Sequence, residues 1–65
     1  MTDIAKIYTL VKMLDNLEIK LFEYEMAKNM EDDAYGHLWY EEKLKSISGQ
    51  IEFVKSELRY LVDRL

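Results

Sequence analysis

Apolar residues recur along this chain every three or four positions, in two stripes separated by a short polar gap. In the first half Ile7, Leu10, Leu14, Leu17, Leu21 and Tyr24 alternate spacings of three and four. In the second half Tyr40, Leu44, Ile47, Ile51, Val54, Leu58, Leu61 and Leu65 do the same. That alternation keeps one seam of a helix facing a neighbour, whereas strands need a period of two. The pattern lapses over Asn29-Met30-Glu31-Asp32-Asp33, where Asp32 or Asp33 can accept backbone N–H bonds as the cap of a second helix. The spacing thus predicts an all-α chain, an antiparallel two-helix hairpin with helices over about 3–30 and 33–64.

Facing residues of an antiparallel hairpin have position numbers with a nearly constant sum. Pairing Ile7 with Leu58, Leu10 with Val54, Leu14 with Ile51, Leu17 with Ile47, Leu21 with Leu44 and Tyr24 with Tyr40 keeps that sum at 64 or 65. Its midpoint, 32, lies inside the polar gap, and residues 1–65 read as a single helical-hairpin domain. Gly36 then falls in the first turn of the second helix. Making it the end of a longer first helix would move the turn to 35–37 and break the constant sum. Lys28, which continues the first stripe, falls opposite His37 on this reckoning.

A hairpin uses one stripe per helix, so apolar residues elsewhere need another explanation. On the second helix Trp39, Ser46, Phe53 and Tyr60 share one heptad row, and Tyr35, Gly49 and Ser56 lie on the next, all directed away from the leucine seam. Large rings alternating with small residues suit a second helix packing closely, and Trp and Tyr are enriched at interface hot spots. The first helix adds Ile4, Tyr8, Val11 and Phe22 on one flank of its seam, with Met13, Ile19, Met26 and Met30 elsewhere. The candidate partner or oligomer interface is therefore Tyr35, Trp39, Ser46, Gly49, Phe53 and Tyr60 together with Ile4, Tyr8, Val11 and Phe22.

Length strengthens that expectation. A chain of 65 residues buries only about 60% of the surface its unfolded form exposes. With no cysteine and a single histidine, neither a disulfide nor an ordinary zinc or haem ligand set can staple it. Another protein surface is the remaining stabiliser, most simply a second copy forming a dimeric four-helix bundle.

Charge removes other classes. Nine basic and thirteen acidic residues give a net charge of −4, the wrong sign for a domain that neutralises phosphates. Residues 1–33 hold eight acids against four lysines (−4) and residues 34–65 hold five of each sign (0), the acidity gathering at Glu23, Glu25, Glu31, Asp32 and Asp33. Uncharged apolar runs are too short to span a bilayer, and the N-terminus lacks the basic-then-apolar layout of a signal peptide, so a cytoplasmic protein without membrane contact is expected.

Candidate chemistry is sparse. Asp33, His37 and Glu41 share a helix face at spacings of four, which could offer three metal ligands, but the Glu-x-x-His signature of di-iron bundles is absent. Ser46, Ser48 and Ser56 lie more than two turns from His37, and Arg59 and Arg64 sit together at the far end. Neither a Ser/His relay nor an arginine-lined anion pocket follows, so no enzyme, cofactor or metal is expected. No family motif is matched residue by residue; in architecture and size alone the chain resembles small helical-hairpin regulators of the plasmid and phage type. The expected function is a small protein–protein interaction module, an adaptor, inhibitor or assembly factor that occludes or bridges through its aromatic face. The alternative is a dimeric nucleic-acid-binding regulator using Lys6, Lys12 and Lys20, although the three do not share one face of the helix.

Overall fold

The computed structural model describes residues 2–65 and consists of two helices, α1 (Asp3–Met30) and α2 (Ala34–Asp63), packed antiparallel along their length. Helix α1 begins at Thr2, whose hydroxyl accepts a hydrogen bond from the Ala5 N–H at 3.2 Å, with Asp3 favouring the positive end of the dipole. At the other end Glu31 leaves the helix in an extended conformation, and its N–H donates to the Lys28 carbonyl. Helix α2 is one residue shorter at each end than the expected 33–64.

The turn differs from the expected cap. Asp33 holds the cap position of α2, but its carboxylate bonds no backbone N–H there. Glu31 instead folds over the turn, its Oε1 accepting from the Asp33 N–H at 3.0 Å. This placement accounts for Gly36: a Cβ there would lie 2.5 Å from both Cγ and Cδ of Glu31. The His37 ring N–H donates to the Glu31 carbonyl, closing a backbone group that the end of α1 would otherwise leave open.

The seam is asymmetric. Ile47, Ile51, Val54 and Leu61 of α2 are buried, Val54 most completely at 2% exposure, whereas no residue of α1 is buried. Ile7, Leu10, Leu14, Leu17, Leu21 and Tyr24 do face α2, but each remains half-exposed. Leu65, expected to end the α2 stripe, lies beyond the helix and is 75% exposed.

Ion pairs close both ends of the hairpin. Arg64 lies 3.6 Å from Asp3, and Lys28 lies 3.2 Å from Glu41. Lys28 thus reaches one turn beyond His37, whose ring bonds the Glu31 carbonyl at the turn. The molecule measures 48 × 15 × 14 Å with a radius of gyration of 14.9 Å. A compact chain of this length would have a radius of about 11 Å, so the hairpin is a rod with a high surface for its mass.

Candidate functional site

All ten residues of the expected interface are exposed in the hairpin, including Ser46 and Gly49. They do not form one patch. Phe53, Ser46 and Gly49 line a groove of about 380 Å³ whose other walls are Gln50, Val54 and, from α1, Met13 and Leu17. Met13 stands on the side of the α1 seam opposite Ile4 and Val11. Phe22 accordingly lines a separate depression with Asp15, Glu18, Ile19 and Glu23. The hairpin therefore carries an aromatic edge centred on α2 and an apolar flank on the far edge of α1.

Within the α2 edge the rings differ in freedom. Trp39 does not point wholly away from the seam: its ring meets Tyr40 edge-on at 5.0 Å and Tyr24 edge-on at 6.0 Å, and Tyr24 also tilts onto Tyr40. This three-ring cluster ties Trp39 to the hairpin while leaving half of it exposed. Lys43 stands 5.1 Å over the Trp39 ring and Arg64 5.4 Å over the Tyr60 ring, covering part of each face with a cation. Phe53, 65% exposed, and Tyr35, 82% exposed, have no such cover among the described residues.

Gly49 is the least explained residue of this edge by the hairpin alone. It sits mid-helix with an ordinary helical backbone, and a Cβ built there meets nothing within 4 Å. Neighbouring Ser46 accepts from the Gln50 side-chain amide at 3.2 Å, so the groove floor is small and mildly polar. Met13 and Gln50 were not among the expected contact residues. Their signal in the sequence is that both flank their seams on the side where the two helices meet, a relation that exists only once the hairpin closes.

The other candidate chemistry disperses. His37 is committed to the Glu31 carbonyl and Glu41 to Lys28, so Asp33, His37 and Glu41 do not converge, and among the described residues no three metal-ligating side chains cluster. On α1, Lys12 leans over Tyr8 at 5.6 Å, away from Lys6 and Lys20. Among the described residues no helix is long and apolar enough to cross a membrane. The class defined by these features is an all-α antiparallel hairpin with two exposed apolar edges. No family model, curated protein or solved structure matches the chain.

Proposed function

We propose that the protein is a non-enzymatic protein–protein interaction module that self-associates through the α2 edge, forming a dimeric four-helix bundle. The observation that carries this reading is surface area. A monomeric protein of 7.8 kDa exposes about 4,400 Å² by the usual mass scaling. The hairpin exposes 5204 Å², an excess of about 800 Å², which is what each partner contributes to an interface of standard size. Phe53, Trp39, Tyr60 and Tyr35 are exposed along this edge and are residue types that anchor interfaces. The apolar flank of α1, with Ile4, Tyr8, Val11 and Phe22, stays open for a different protein, and the acidic turn biases which one docks.

Sedimentation equilibrium of the wild-type chain and of Phe53→Ala tests the reading. Phe53 contributes little to the hairpin itself, so its truncation separates association from folding. A concentration-dependent dimer that Phe53→Ala weakens about tenfold or more supports it, as expected for loss of a buried aromatic anchor. A wild-type chain that stays monomeric at millimolar concentration overturns it.

A further inference from the structure

We infer that the two copies pair α2 against α2 antiparallel, across a two-fold axis passing beside Gly49; this rests on the self-association proposed above. An isologous contact needs a surface complementary to itself, so that each residue and its counterpart suit one another. The α2 edge meets that condition in size and in charge. With the axis near position 49, Ser46 stands level with the partner's Phe53, a small residue opposite a large one, and Trp39 stands level with the partner's Tyr60. On one side of this line Lys43 comes level with the partner's Glu57, and on the other Lys45 comes level with the partner's Glu52. Gly49 and Gln50 lie on either side of the axis, next to both of their counterparts. No row of the edge sets like charges opposite each other.

Structural features of the single chain fit this arrangement and have no other use in it. The open space over Gly49 is where the second backbone approaches, which explains a mid-helix glycine that costs stability relative to alanine. The groove between Phe53 and Met13, floored by Ser46 and Gly49, receives the partner's Phe53. Lys45, Glu52 and Glu57 form no ion pair within the chain among the described residues. A parallel pairing of the same edges would set Glu42, Lys43, Lys45, Glu52 and Glu57 each against its own copy, five like-charge contacts that disfavour it.

Cross-linking decides between the arrangements, because the chain has no cysteine of its own. In the antiparallel pair the two copies of residue 43 lie about 20 Å apart along the axis at 1.5 Å per residue, while residue 43 is level with the partner's residue 57. A bismaleimide reaching half that distance should couple Lys43→Cys to Glu57→Cys in a mixture and leave each variant alone uncoupled. Lys45→Glu should weaken the dimer about tenfold at low salt, and Lys45→Glu with Glu52→Lys should restore it, since both pairs across the axis change sign together. Coupling of Lys43→Cys to itself, or a sedimenting dimer in which the mixture does not couple, overturns the arrangement while leaving self-association intact. A monomeric wild type removes the reading on which it rests.

Discussion

Replacing Gly49 by alanine gives opposite results in a free hairpin and in a paired one. In the single chain the new methyl group meets nothing within 4 Å and the backbone is helical, so the substitution removes a glycine penalty at no steric cost. The gain is about 1 kcal/mol, worth about 4–8 °C in Tm for a domain of this size. In the paired form two added methyl groups face each other at the axis and hold the helices apart, reducing contact around Phe53 and offsetting the gain. Thermal unfolding followed by circular dichroism across a micromolar-to-millimolar concentration series separates the cases. The alanine variant should be the more stable chain when dilute, and its advantage should vanish or reverse when concentrated. An equal advantage at every concentration would mean that nothing approaches Gly49, and the reasoning from its open space would fail.

Gly36 offers a contrast: alanine there displaces the Glu31 side chain and its bond to the Asp33 N–H, worth about 1 kcal/mol, so Gly36→Ala should stabilise dilute chains markedly less than Gly49→Ala. Combining Gly36→Ala with Glu31→Ala should make the two effects non-additive, measurable as a double-mutant cycle in urea. Thr2→Ala should cost about 1 kcal/mol because the hydroxyl caps α1, while Asp33→Ala should cost clearly less because its carboxylate makes no cap bond. Val54→Ala should cost about 2 kcal/mol, a large loss where only four of the described residues are buried, and Leu14→Ala should cost less at its half-exposed site. Equal losses at positions 54 and 14 would contradict the asymmetric seam.

Fold and turn position were legible because they rest on periodicity, which the seam imposes on every third or fourth residue of both helices. The all-α class, the antiparallel pairing and the placement of Gly36 within α2 follow from it. Features that depend on one side chain choosing among local partners were not legible. Asp33 occupies the cap position without a side-chain cap bond, and the Glu31 carboxylate folds back over the glycine to accept from Asp33's own N–H. Leu65 matches the stripe in number but lies past the end of α2, where the Arg64 and Leu65 N–H groups donate to the Leu61 and Val62 carbonyls in a tighter final turn. Trp39 belongs to the outward row by spacing, yet its ring is broad enough to lean onto Tyr24 and Tyr40. For the candidate site, sequence spacing identifies the exposed rings but not that they fall on two edges. That division depends on which flank of α1 meets which flank of α2, a property of the closed hairpin.

The division into edges bears on what such an assembly could do. A two-fold contact consumes the same patch on both copies, so pairing through α2 closes at two and cannot propagate into a filament. In the proposed dimer, the α1 flanks of Ile4, Tyr8, Val11 and Phe22 remain outside, one on each hairpin. Two identical apolar flanks on one rigid body fit bridging of two copies of a partner better than occlusion of one, because the second engagement becomes intramolecular. Substitutions on this flank then act on partner capture without touching the dimer: Phe22→Ser should leave sedimentation unchanged. Should Phe22→Ser dissociate the dimer as Phe53→Ala is expected to, the two edges would be acting as one surface and bridging would lose its geometric basis.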